Sequence, residues 1–253
     1  IRDRDKVSCY YTASSIENRY HGFKKLLTFT CSDGCPVPIQ AVLFDLDGTL
    51  LDTLEDIADS ANSILAKCNF PLHDLEAYRQ YVGDGVGKLI ERALPQEKRT
   101  TALITECVQA FRDEYEVNWN NKTKPYSGIF EMLDALTARN LKLAVLSNKP
   151  DDFTKRCVPE YFFQWPFEIV KGLNSSTPPK PDPTGAQQIA QYLEIQPSDI
   201  LFLGDSGVDM KTAIAAGMFP VGALWGFKPR VELEYDGVQA LIEHPQELLT
   251  LIN

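Results

Sequence analysis

The residues with the clearest chemical potential are two carboxylates one position apart. Asp45 and Asp47 follow the apolar run Ala41-Val42-Leu43-Phe44, and Gly48 comes directly after them. Four apolar residues with no polar alternation read as a strand buried on both faces. An acid at the end of such a strand is badly placed for an ordinary turn, because open parallel sheets gather ligands at the carboxyl ends of their strands. If the strand continued, both acids would share one face. Gly48 tolerates backbone angles that other residues avoid, so the chain is expected to leave the strand between them. Carboxylates this close repel each other, and a cation is the natural way to keep both ionised.

The same arrangement recurs downstream. Ser147 and Asn148 follow the apolar run 142–146, and Gly204-Asp205 follows the apolar run 200–203. Lys180 sits in the Pro-rich loop 177–183, and Asp209 opens the helix that comes after Asp205. Asp45, Asp47, Ser147, Lys180, Asp205 and Asp209 are therefore expected at one edge of a sheet. Carboxylates without a neighbouring His or Cys suit a hard cation, most simply Mg²⁺. One hydroxyl and one ammonium beside that cation suit a phosphate. A carboxylate can attack phosphorus to give an aspartyl-phosphate, and a second acid can protonate the leaving oxygen and later activate water. Asp45 and Asp47 are placed for those two tasks.

The elements that must position these groups are legible from periodicity. Helical patterns run over 53–68, 74–82, 89–94 and 100–118, so residues 55–122 form helices without strands. After Pro125 the chain alternates. Helices are expected at 129–138, 151–158, 184–193 and 208–216, and strands at 142–146, 167–170, 200–203, 220–224 and 240–242. Such alternation predicts an α/β fold, a doubly wound parallel sheet with a small α-helical domain inserted after the first strand. The expected division is a core of 39–54 and 123–253 and a helical domain of 55–122. Residues 1–38 are locally basic and aperiodic. Asp3, Asp5 and Glu17 argue against a transit peptide, so this stretch is read as a poorly ordered extension.

Composition sets bounds. The chain has 253 residues, 44% of them hydrophobic, and a formal net charge of −10. That charge argues against nucleic acid and against an anionic membrane surface as partners. No apolar run reaches the roughly 20 residues a membrane helix requires. Six scattered cysteines read as reduced thiols of a cytoplasmic protein, and Cys31-x3-Cys35 has no second pair with which to hold zinc. His21, His73 and His244 are isolated and read as surface residues. Lys149 is either a further positive charge near a phosphate or a solvated side chain. The turn Trp225-Gly226-Phe227 is read as packing.

Four motifs in order, Asp45-Leu46-Asp47-Gly48-Thr49-Leu50, Ser147-Asn148, Lys180-Pro181 and Gly204-Asp205-Ser206-Gly207-Val208-Asp209, resemble those of the haloacid dehalogenase superfamily of phosphatases. The resemblance covers about residues 39–253. It implies a Rossmann-like core, with Asp45 as nucleophile and Asp47 as acid and base. It implies Mg²⁺ held by Asp45, the backbone carbonyl of Asp47, and Asp205. Ser147, Asn148 and Lys180 would bind the phosphoryl group, with Asp209 and Ser206 in support. A dehalogenase lacks the second acid, so Asp47 favours phosphate chemistry.

The helical insertion resembles the small cap domain of the same family. The run Tyr81-Val82-Gly83-Asp84-Gly85-Val86-Gly87, with Arg92-Ala93-Leu94, resembles the phosphoglycolate phosphatase branch. Gly85, Gly87 and Arg92 are the candidates for contacting a small carboxylate. The glycine run is not a phosphate-binding P-loop, since the first Gly and the hydroxyl after Lys88 are missing. The expected activity is Mg²⁺-dependent hydrolysis of a small phosphomonoester, 2-phosphoglycolate first, by a monomer or homodimer. The alternatives are a sugar-phosphate phosphatase, a pyrophosphatase, a phosphosugar mutase, a phosphonatase that would use Lys88, or a non-catalytic phosphate-binding protein.

Overall fold

A computed structural model describes residues 39–252, so the reading of residues 1–38, with His21 and the Cys31/Cys35 pair, lies outside it. The core is a six-stranded sheet built on β1 (Ala41–Phe44), flanked by β4 (Lys142–Pro150) and β6 (Ile200–Gly204). β5 (Phe167–Leu173), β7 (Phe219–Ala223) and β8 (Ala240–Ile242) complete the order β5-β4-β1-β6-β7-β8. Each of these pairings is parallel. Two remaining short strands, β2 (Leu51–Asp52) and β3 (Lys124–Pro125), pair antiparallel where the chain leaves the core and returns to it.

Strand alternation divides the apolar residues between two cores. Val42, Phe44, Leu143, Val145, Leu201 and Leu203 face one cluster. Ala41, Leu43, Ala144, Leu146, Ile200 and Phe202 face the other. The first is covered by α5 (Ile129–Ala138) and α6 (Asp151–Phe162), and the second by α7 (Thr184–Leu193) and α8 (Gly207–Ala216). The sheet is thus wrapped on both faces, as the alternation predicts. α9 (Arg230–Tyr235), which the sequence reading lacks, follows β7.

Between β2 and β3 lie α1 (Leu54–Lys67), α2 (Leu75–Tyr81), α3 (Val86–Ala93) and α4 (Thr101–Asn118). Asp74 and Thr100 cap α2 and α4 by accepting from the Ala77 and Leu103 N–H groups. The two passages between core and helices are tied at Asp56. Its buried carboxylate accepts from the backbone N–H groups of Lys122 and Thr123 and from the Thr123 hydroxyl, at 2.8–3.0 Å.

Several boundaries differ from the sequence expectation. α6 passes through Pro159 to Phe162, because the buried Val158 and Phe162 hold its last turn against the core. β4 continues through Ser147-Asn148-Lys149 to Pro150, pairing with Leu173 of β5 across an irregular register. Polar residues of low strand propensity are kept extended there by the neighbouring strands. β1 has the expected bounds and ends at Phe44, so the chain leaves the strand just before Asp45 rather than between Asp45 and Asp47. His73 is half-buried rather than a surface residue, with Nε2 2.8 Å from the Ala93 carbonyl and its ring edge-on to Tyr78 and Tyr81.

Candidate active site

The parallel sheet delivers its polar residues to one rim. Asp45 follows β1, Ser147 lies in β4, and Asp205 follows β6. Ser206 caps α8 reciprocally with Asp209: the Ser206 hydroxyl donates to Asp209 Oδ2 at 2.6 Å, and the Ser206 N–H donates to the same oxygen at 3.1 Å. That cap turns the other Asp209 oxygen toward Lys180, whose Nζ lies 2.6 Å from Oδ1. The same Nζ lies 2.8 Å from Asp45 Oδ1. Asp205 is held from the opposite side, accepting from the Phe227 N–H at 2.7 Å and from the Thr49 hydroxyl at 3.4 Å.

Asp45, Asp205 and Asp209 are all buried, and one carboxylate oxygen from each lies within 4.8 Å of the other two. Burial lifts the Asp45 carboxyl to about 7; Lys180 pulls it down, while Asp209 and Asp47 add to the rise. Burial, with repulsion from Asp45 and Asp209, raises Asp205 well above the ordinary carboxylate range. Burial works against the charge on Lys180, but Asp209 and Asp45 outweigh it and raise its pKa. Three acids thus share one ammonium. Asp45 Oδ1 is near Lys180 yet outside hydrogen-bond geometry, which leaves a buried oxygen with no directional donor. A surplus of oxygen ligands and an orphaned carboxylate oxygen fit a hard divalent cation.

Asp47 stands apart from this cluster. Its two carboxylate oxygens are 3.1 and 3.3 Å from Lys149 Nζ. Lys149 is buried, so of its two expected readings the solvated one is excluded. The acid that joins Asp45 and Asp205 in the cluster is Asp209, which the sequence reading places only in support.

Asn148 lies between the rim and the helical segment. Its Oδ1 accepts from the Lys180 N–H at 2.8 Å, and its Nδ2 donates to the carbonyls of Lys180 at 3.1 Å and Gly83 at 3.0 Å. Both amide hydrogens are therefore used by the backbone, and the side chain ties Lys180 to Gly83 at the edge of the cavity.

A cavity of ≈ 70 Å³ opens between this rim and the helical segment. Asp45, Asp47, Ser147 and Lys149 contribute its polar floor; Ile57, Val82, Val86, Leu89 and Phe111 form an apolar wall. Gly85 lines it, whereas Gly87 and Arg92 do not. Arg92 is instead occupied by the Asp84 carboxylate and the Tyr81 carbonyl. Arg112, Tyr115 and Phe227 also line the cavity. The first two belong to α4, where the sequence shows only an amphipathic helix. The Trp225-Gly226-Phe227 turn does pack, with Trp225 Nε1 donating to the Thr49 carbonyl, and it also shapes the site through Phe227.

A family model of the haloacid dehalogenase-like hydrolases matches residues 42–223. The chain belongs to this family. A phosphoglycolate phosphatase of Nitrosospira multiformis is 34% identical over 209 residues, covering 80% of this chain and 92% of that protein. One from Aquifex aeolicus is 31% identical over 215 residues, covering 85% and 97%. Among solved structures, a putative phosphoglycolate phosphatase from Lactobacillus delbrueckii subsp. bulgaricus shares the fold with a TM-score of 0.80 at 24% identity, over 85% of this chain and 99% of that one. A predicted phosphoglycolate phosphatase from Haemophilus somnus gives 0.78 at 27% identity, over 84% and 97%. Within the family this chain is phosphoglycolate phosphatase-like, a phosphoric monoester hydrolase. Among the described residues, no helix is long and apolar enough to cross a membrane.

Proposed function

We propose that this protein hydrolyses a small phosphomonoester, 2-phosphoglycolate first, with Mg²⁺ at the carboxylate cluster and Asp45 as nucleophile. The observation that carries the reading is the meeting of Asp45 with Asp205, Asp209 and Lys180, where Asp45 also lines a small cavity together with Asp47. The names of the relatives support the choice of substrate.

Asp45, Asp205 and the backbone carbonyl of Asp47 would hold the cation, with Asp209 alongside. When bound, Mg²⁺ supplies charge neutralisation that lets an anionic carboxylate approach an anionic phosphate. Lys180 and Ser147 hold the phosphoryl oxygens. An Asp45 oxygen bonds to phosphorus as the bond from phosphorus to the leaving oxygen breaks, and Asp47 gives its proton to that oxygen. In the second half, Asp47 takes a proton from water, whose oxygen bonds to phosphorus. Inorganic phosphate leaves and the Asp45 carboxylate is restored. We assign residues 55–122 as a cap that excludes bulk water from the cavity, with 39–54 and 123–253 as the catalytic core.

Phosphate release across a panel of small phosphoesters with Mg²⁺ tests this reading. 2-Phosphoglycolate is expected to rank first, with release abolished by EDTA and by Asp45→Asn. Unchanged turnover in that variant removes the covalent mechanism.

A further inference from the structure

Lys149 is a buried charge that the steps above leave without a task. Its side chain is 4% exposed, and its Nζ lies 3.1 and 3.3 Å from the two oxygens of Asp47. The third neighbour is Tyr115 Oη, at 2.8 Å. An ammonium has three N–H donors, and these three acceptors use them all. Lys149 therefore has no donor left for a substrate in this arrangement. Two of these contacts fix the Asp47 carboxylate.

Those contacts join separate parts of the chain. Asp47 belongs to the turn after β1, Lys149 to β4, and Tyr115 to α4 of the helical segment. The Tyr115 ring is itself held in place. It stacks on Phe111 with centroids 5.3 Å apart and meets Phe153 edge-on at 5.1 Å. Lys149 Nζ also lies 4.7 Å from the centre of the Tyr115 ring, which adds a cation–π attraction. The ammonium is thus held against an aromatic group that moves with α4.

We infer that Lys149 is a positioning residue that fixes the Asp47 carboxylate for proton transfer, and that Tyr115 makes this positioning depend on α4 being seated over the site. This rests on the reading of Asp47 as acid and base. A carboxylate gripped at both oxygens has one direction in which to give or take a proton, whereas a freely rotating one spends only part of its time aligned. When Tyr115 withdraws, Lys149 loses one of its three partners and its hold on Asp47 loosens. Proton transfer is then efficient only while the helical segment closes the cavity, which protects the aspartyl-phosphate until water is correctly placed.

The test measures single-turnover release of the leaving group, with enzyme in excess and Mg²⁺ present. It compares an alkyl phosphate such as 2-phosphoglycolate with p-nitrophenyl phosphate. An alkoxide needs a proton to depart, whereas p-nitrophenolate leaves without one. General acid catalysis is worth roughly 10²–10⁴-fold, so loss of alignment alone removes a part of it, on the order of tenfold. Tyr115→Phe is expected to slow the alkyl phosphate by that factor and the aryl phosphate by less than about twofold, and Lys149→Met to show the same asymmetry more strongly. Tyr115→Phe removes a single oxygen, so the test survives if Lys149→Met fails to fold.

Equal slowing of both substrates, or no change in either, overturns the inference. Asp47→Asn separates the two levels of the argument. If it discriminates between leaving groups and Tyr115→Phe does not, only the positioning role is lost. If Asp47→Asn slows both substrates alike, the acid assignment itself fails and the inference fails with it.

Discussion

Lys180 Nζ and Asp209 Oδ1 form a 2.6 Å ion pair in which the lysine side chain is 4% exposed and the aspartate is fully buried. The same ammonium also faces Asp45. Removing one member of a buried charge pair leaves the other uncompensated and costs about 3–5 kcal/mol. Here Lys180→Met leaves three carboxylates with no cation between them. It is expected to destabilise the metal-free protein by about that amount, measured by urea denaturation in EDTA. Mg²⁺ is expected to restore part of the stability but no phosphatase activity, because the phosphoryl oxygens lose their ammonium. A midpoint unchanged from the parent would mean that Lys180 does not neutralise the cluster.

The acid cluster makes stability depend on pH in a definite sense. The Asp45 carboxyl sits at about 7 in the folded protein against 3.8 ordinarily. Below the ordinary value it is protonated in both folded and unfolded chains. Between the two values the unfolded chain gives up the proton while the folded chain keeps it, so stability falls as pH rises. Asp205, raised well above 3.8, acts in the same sense. A cation that binds the ionised cluster reverses the loss. Thermal melts are therefore expected to show a larger stabilisation by Mg²⁺ at pH 8 than at pH 5. A larger effect at the acid end would mean that these carboxyls do not hold the ion.

Gly48 is required by two neighbours at once. Its φ is +89°, and a Cβ there would run into the Asp205 carboxylate and the Phe227 ring. Left-handed backbone costs a non-glycine residue about 1–3 kcal/mol before any clash is counted. Gly48→Ala is thus expected to lose at least that much stability and to displace Asp205 from the cluster. Isothermal titration with Mg²⁺ should show weakened binding. A variant that folds and binds Mg²⁺ with parental affinity would show that Asp205 tolerates being moved.

The elements with clear borders were legible in the sequence and those held by remote contacts were not. The helices at Ile129–Ala138 and Thr184–Leu193 have the expected bounds, since a glycine or proline marks where each begins. The nearness of Asp45, Asp205 and Asp209 was legible too, because each directly follows a buried strand or caps the next helix. The end of β4 was not, since its polar residues are kept extended by β5. The Lys149–Tyr115 contact spans 34 residues between elements whose local patterns carry no trace of it. Arg92 looked available because its partners, the Asp84 carboxylate and Tyr81 carbonyl, belong to a corner whose shape the glycines conceal.

Asn148 gives a prediction that separates a brace from a phosphate ligand. Its side chain serves both the N–H and the carbonyl of Lys180, and it also reaches the Gly83 carbonyl at the edge of the cavity. A buried polar group left without a partner costs about 1–3 kcal/mol, so Asn148→Ala exposes that penalty at the Lys180 N–H and carbonyl together. The expected loss is about 2–4 kcal/mol in the absence of any ligand, accompanied by lower kcat because Lys180 is no longer held in register. Asn148→Asp is expected to be worse than Asn148→Ala. It sets a carboxylate oxygen against two carbonyl oxygens, where the amide donated to both. A residue whose task was to bind phosphate would behave differently: Asn148→Ala would leave the ligand-free stability intact and raise KM. Urea denaturation without phosphate, paired with KM for the best substrate, distinguishes the two. Retained stability with a raised KM would return Asn148 to the phosphate site.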